Sequence, residues 1–230
     1  MTPTGAVRSL AEREDALYAE WKAARPDIAQ TFWKDGVADE ARYRASKIPT
    51  LLLLKEPNTG SDPKGNWDMR AGIRSGIKHA QTWNNVSRWS QGIAALPNEL
   101  PYDAVAEQTE ETRTESVARL AVVNVKKVPG SAVAVNKDIH LFAREHATYL
   151  RAQLALYQPR LTICCGSAWY LPDLYSQEEL GIWQHAATGV RWRQSSVIGA
   201  IIWYKHPQSR GQRAQKLYEN LVATVSEILS

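Results

Sequence analysis

At 230 residues, 44% of them hydrophobic, the chain is long enough to bury a continuous apolar core without disulfides or metals, and one domain over 1–230 is the expectation. No apolar run approaches the roughly 20 residues of a membrane-spanning helix, so a helical membrane protein is excluded. A net charge of +4 is too small to name a partner, and its distribution matters more than its sum.

The first 46 residues alternate charged and apolar positions, with Leu17, Trp21 and Trp33 among polar neighbours, and predict two or three helices ahead of the first strand. Their mixture of acids and bases does not resemble a secretion signal. Four continuous apolar runs follow: 49–54 (PTLLLL), 120–125 (LAVVNV), 161–165 (LTICC) and 197–204 (VIGAIIWY). Continuous rather than alternating runs, separated by helical stretches, predict buried parallel strands and an α/β fold.

Between the first two strands, residues 60–92 read as irregular and then helical, with Trp67, Trp83 and Trp89 beside basic residues. A helix of about 20 residues starting near Val135 and ended by Pro159 is expected to cross one sheet face. A last amphipathic helix follows His206-Pro207, with Leu217, Leu221 and Val225 on its apolar stripe. No linker or internal repeat divides the chain. Cys164 and Cys165 are adjacent in a strand, point to opposite faces and read as buried thiols; with no export signal, the cytoplasm is the expected compartment.

Two basic stretches stand out. From Gly181 to Tyr218 there is no acid, while Arg191, Arg193, Lys205, Arg210, Arg213 and Lys216 all occur. Lys64, Arg70, Arg74, Lys78 and Arg88 form the second, opposed only by Asp68. These read either as a surface for nucleic-acid phosphates or as solvated helix faces.

In an open parallel sheet, ligands bind beyond the carboxyl ends of the strands. There the first strand runs into Lys55-Glu56-Pro57-Asn58-Thr59-Gly60, the second ends at Asn124 before Lys126 and Lys127, and the fourth delivers Lys205-His206-Pro207-Gln208-Ser209-Arg210. An acid, an amide and an imidazole at one rim suit hydrolysis of an N-glycosidic bond. A carboxylate stabilises an oxocarbenium-like sugar and orients water, a histidine stabilises charge on the departing base, and an amide reads the base edge. Each has a duller role available: Glu56 capping a turn, Asn124 satisfying backbone at a strand end, His206 entering a helix. The other histidines lack the spacing of a zinc site.

These segments resemble the motifs of the uracil-DNA glycosylase superfamily. KEPNTG resembles its first motif, with Glu56 in the place of the water-positioning residue before Pro57. LAVVNVKKVPG is similar to the segment of the bacterial and archaeal branch that carries the base-reading asparagine, here Asn124. KHPQSRG resembles the loop that inserts beside the flipped base, with His206 in the histidine position. The resemblance spans roughly residues 49–215 and implies a three-layer αβα sandwich around a central four-stranded parallel sheet. It further implies Glu56 and His206 as catalytic groups, and Asn124, Pro57, Asn58 and an aromatic such as Trp67 around the base. Lys55, Lys126, Lys205, Gln208, Ser209 and Arg210 would lie on the DNA.

Three departures shape the expectation. That branch holds an iron–sulfur cluster on four cysteines, and this chain has two, adjacent, so no cluster, metal or other cofactor is expected. Gln208 stands where serine is usual. Asn58, Thr59 and Gly60 follow Pro57 where uracil-strict members often place tyrosine, leaving a smaller-walled, more polar opening beside carbon 5 of the base. The expected activity is therefore excision of a modified pyrimidine from DNA by base flipping, leaving an abasic site. Glucosylated hydroxymethylcytosine of phage DNA, an antiviral role, is one such substrate. Alternatives are uracil excision in repair, a non-catalytic DNA-binding module, and a hydrolase of free nucleosides. DNA is the expected partner, with a monomer acting off the membrane.

Overall fold

A computed structural model describes residues 8–57, 67–130, 134–209 and 213–229. Its sheet has seven strands in the order β1-β3-β2-β4-β7-β6-β5. β2 (Thr50–Leu54), β3 (Leu120–Asn124), β4 (Leu161–Cys165) and β7 (Ala200–Tyr204) pair in parallel in the middle. They are the four apolar runs, shortened by up to three residues at one end. The expectation of a four-stranded parallel sheet is corrected at both edges, which are antiparallel: β1 (Gly36–Val37) pairs with β3, and the hairpin β5 (Gln184–His185) and β6 (Arg191–Gln194) extends β7. Two-residue strands and a polar RWRQ segment carry no apolar run, so periodicity had nothing to report.

Alternate strand residues face two cores. Leu52, Leu54, Val122, Ile163, Cys165 and Ile202 pack under α3 (Met69–Arg74), α4 (Gln81–Ala95), α6 (Glu110–Ala118) and α10 (Ala214–Leu229). α5 (Asp103–Ala106) adds Val105 to the same cluster. Leu51, Leu53, Val123, Cys164 and Ile201 pack under α1 (Leu10–Ala24), α7 (Asn136–Glu145) and α8 (Ala147–Tyr157), and Leu180 of α9 (Gln177–Leu180) joins the same cluster. The two cysteines thus lie on opposite faces, both buried and free. Burial alone pushes the Cys164 thiol up to about 12, which leaves it an inert thiol.

The N-terminal region supplies two helices, α1 and α2 (Glu40–Arg44), and the edge strand β1. α1 begins with a capping box in which Ser9 accepts from the Glu12 amide and Glu12 reaches back to the Ser9 amide. The expected single crossover helix is two, α7 and α8, broken at His146 (φ −114°, ψ 17°). The His146 ring is buried, and its Nδ1 accepts from Trp21 Nε1 at 2.7 Å. Apolar spacing runs on through the break, which hides it from the sequence. No described helix is long and apolar enough to cross a membrane.

Candidate functional site

The strand register sets the site. Leu54 is paired with Asn124, and Leu53 with Cys164, which is paired in turn with Trp203. Asn124, Leu54, Cys165 and Tyr204 therefore stand level at the carboxyl ends, and Glu56 and His206 each lie two residues further out. β4 separates their strands, which puts the two strand axes roughly 10 Å apart. Gly166, at φ +70°, turns the chain away directly after β4, its amide bonded to the Tyr204 carbonyl at 2.9 Å. The element that follows β2, α3, packs on one face of the sheet, and Tyr170 and Leu171, which follow β4, pack on the other. In open α/β sheets ligands sit where successive connections diverge in this way.

Glu56 is held from two sides. Lys126 Nζ bonds its Oε2 at 2.8 Å, with the Glu56 side chain 5% exposed. The Lys126 amide reaches the Lys55 carbonyl and the Gly130 amide the Pro57 carbonyl, which locks the two loops together. A Cβ on Gly130 would lie 2.0–2.1 Å from the Glu56 carboxyl atoms, so the carboxylate occupies space only glycine leaves open. Lys55 Nζ and the Tyr170 hydroxyl both donate to Asn136 Oδ1, at 3.3 and 2.8 Å. Burial, with Glu56 and Asp173 nearby, moves the Tyr170 hydroxyl up to about 12, so it remains a donor.

Asn124 is buried, and Asp35 fixes it. Asp35 Oδ2 accepts from the Asn124 amide at 2.8 Å and from its Nδ2 at 3.3 Å. Asp35 Oδ1 accepts from Lys127 Nζ at 2.6 Å and from Gln153 Nε2 at 2.8 Å, and Lys127 is fully buried. Burial lowers the Lys127 ammonium, and Asp35 opposes that shift. Because Asp35 can only accept, the Asn124 carboxamide must turn its nitrogen toward it and its oxygen away. The bonds continue from Gln153 through Tyr157 to Glu14 and from Glu14 to Arg70.

His206 is half-buried at the start of the last loop. Its Nδ1 accepts from the Gln208 amide at 3.1 Å, and its carbonyl accepts from the Ser209 amide at 2.8 Å. Burial, then Lys55, lowers its pKa below the ordinary value. A neutral ring accepting at Nδ1 carries its proton on Nε2 and can donate from there. Asn85 Nδ2 bonds the Pro207 carbonyl at 2.7 Å, tying this loop to α4.

The structure thus brings Glu56, Pro57, Lys55, Asn124, Lys126, Lys205 and His206 to one rim. Gln208 and Ser209 fold back onto His206. Lys126 faces Glu56 rather than solvent, whereas Lys205 is exposed. Trp67 is 40% exposed and tilts against Trp33 at 4.6 Å. Its carbonyl bonds the Lys34 amide, which puts it at the β1 end of the rim, away from His206. Asn58 and Arg210 lie outside the described residues.

The second basic stretch is corrected at Arg70, Arg74 and Arg88, while Lys64 lies outside the described residues. Arg70 is buried against Glu14, Asp15 and Asp68, Arg74 bonds the Ala38 carbonyl, and Arg88 bonds the Val105 and Ala106 carbonyls. Arg70 is structural because α1 brings acids that are distant in sequence, and Arg74 and Arg88 because they satisfy backbone carbonyls. No role was read from the sequence for Asp35, Lys127, Asn136, Tyr170 or Gly130, although Lys127 and Gly130 stand in the LAVVNVKKVPG segment that carries Asn124. No described set of three His, Cys, Asp or Glu residues is arranged to hold a metal. A cleft of about 530 Å³ between α10 and residues 96–103 shares no residue with the rim.

No protein-family model matches the chain, and no curated protein is similar enough to be matched to it.

Proposed function

We propose that the protein is a DNA N-glycosylase with a uracil-DNA glycosylase-like parallel core, acting on a pyrimidine substituted at carbon 5. The observation that carries this reading is the level placement of Glu56 and His206 on either side of β4, with Asn124 beneath. A separation of roughly 10 Å between their strands admits a flipped nucleotide. Lys126 engages Glu56 Oε2, and in this reading Oε1 orients water on the sugar side. His206 donates from Nε2 to the anion developing on the base as the glycosidic bond breaks. Asn124, its nitrogen held by Asp35, offers Oδ1 to an N–H of the base edge. Substitution at carbon 5, with a glucosylated hydroxymethyl group as the extreme case, rests on the sequence Asn58-Thr59-Gly60.

The test is base release from DNA containing plain, hydroxymethylated and glucosylated pyrimidines, read by mass spectrometry. Glu56→Gln is expected to lower release by about a hundredfold or more while DNA still binds. Equal release of plain and substituted bases would remove the substrate assignment. Binding without release from any of these DNAs would leave a non-catalytic module.

A further inference from the structure

Beside the rim, the β6–β7 edge carries cations that no described carboxylate neutralises. Arg193 is 2% exposed, yet its Nε and Nη2 have no hydrogen-bond partner, and Arg191 Nε is buried in the same condition. Among the described residues neither guanidinium is paired with a carboxylate. Instead Arg193 lies 4.1 Å over the Trp183 ring and Arg191 4.5 Å over Trp203. Trp169, which follows the Gly166 turn, stands edge-on to Trp203 at 4.3 Å and is 62% exposed. A cleft of about 370 Å³ connects Arg191 and Trp203 to Lys205, next to His206.

A buried guanidinium without an acceptor is costly, and rings supply only part of what water gave it. Two such cations, with an exposed indole joined to them through Trp203, fit one ligand: a chain of phosphates whose bases present flat faces. Protein partners of acidic character would satisfy the charge but leave Trp169 with nothing to stack on.

We propose that this edge is a second DNA contact, where Arg191, with the field of Arg193 behind it, holds a phosphodiester and Trp169 stacks on a base of the strand leaving the site. This rests on DNA being the substrate, but it can fail separately. Arg193, itself covered, acts through its charge rather than by touch.

The experiment is binding of a labelled single-stranded oligonucleotide across a salt series, with thermal unfolding of each variant as control. Trp169→Ala is expected to weaken binding about 5- to 150-fold, the range of one lost base stack, with Trp169→Phe restoring most of it. Arg191→Gln should weaken binding and flatten the log–log salt slope by roughly 0.7, the signature of one lost phosphate contact. Both variants should melt with the parent. Parent-like affinity and slope in both variants would overturn this contact and leave the glycosylase reading intact. Poly-glutamate competing as well as the oligonucleotide, whatever stands at 169, would also overturn it, in favour of an acidic protein. A parent protein that binds no DNA would sink both proposals.

Discussion

At the β1–β3 end of the rim, a buried carboxylate, Asp35, is surrounded by donors from Asn124, Lys127 and Gln153. At the β6–β7 end an equally buried guanidinium, Arg193, has the Trp183 ring and, among the described residues, no acceptor for its Nε and Nη2. Closed networks fix a geometry, as Asp35 fixes the Asn124 carboxamide. Open ones keep charge in reserve for something that arrives. The same sheet therefore has one end built for holding a side chain still and another built for attraction.

The largest effect should come from breaking the closed end. Asp35→Ala leaves Lys127 as a buried, uncompensated ammonium, and about 3–5 kcal/mol of stability should be lost in chemical denaturation. Asp35→Ala combined with Lys127→Met should recover much of this, because the stranded charge goes with its partner. A double variant as unstable as the sum of its parts would mean that the pair does not act as a unit. The Asn124 geometry should stay disturbed in both, so base release should remain low even where stability returns.

A smaller effect is expected with acid, on the face where α1 meets α8. Trp21 donates to His146 Nδ1, which requires that nitrogen to be unprotonated. Burial, helped by Arg25 and opposed by Glu145 and Asp27, lowers His146 from 6.5 to about 4. Between those values the unfolded chain binds a proton that the native one refuses. The contribution of His146 is thus complete above about pH 6.5 and is lost as pH falls toward about 4. Melting temperatures at pH 7.5, 5.5 and 4.5 should fall in that order, less steeply in His146→Gln. An unchanged pH slope in that variant would refute the assignment.

What the sequence disclosed follows the same division between local and distant causes. TLLLL, LAVVN, LTICC and AIIWY announce their strands because a strand covered on both faces needs apolar residues throughout. Glu56, Asn124 and His206 were legible because strand ends in a parallel sheet share a rim. Asp35 and Lys127 were not: each reads as an ordinary surface charge, and only the pairing of β1 with β3 brings them together. Arg70 misled for the same reason, since its acids Glu14 and Asp15 lie more than fifty positions away. Nor does RWRQ say whether its arginines point at water or, as Arg193 does, under a tryptophan.

The smallest stability effect should come from the open end, and its smallness is informative. Arg193→Met removes a buried cation together with its desolvation cost, and what it gives up is one stack on Trp183, a cation–π contact of about 0.5–2 kcal/mol. The two oppose each other, so unfolding free energy should stay within about 1 kcal/mol of the parent, in contrast to Asp35→Ala at the closed end. DNA affinity should nonetheless fall, more at low salt than at high, because a charge acting through a covered site is felt as field. A loss of 3 kcal/mol or more with unchanged affinity would make Arg193 a structural pillar, and the electrostatic contrast between the two ends of the rim would disappear.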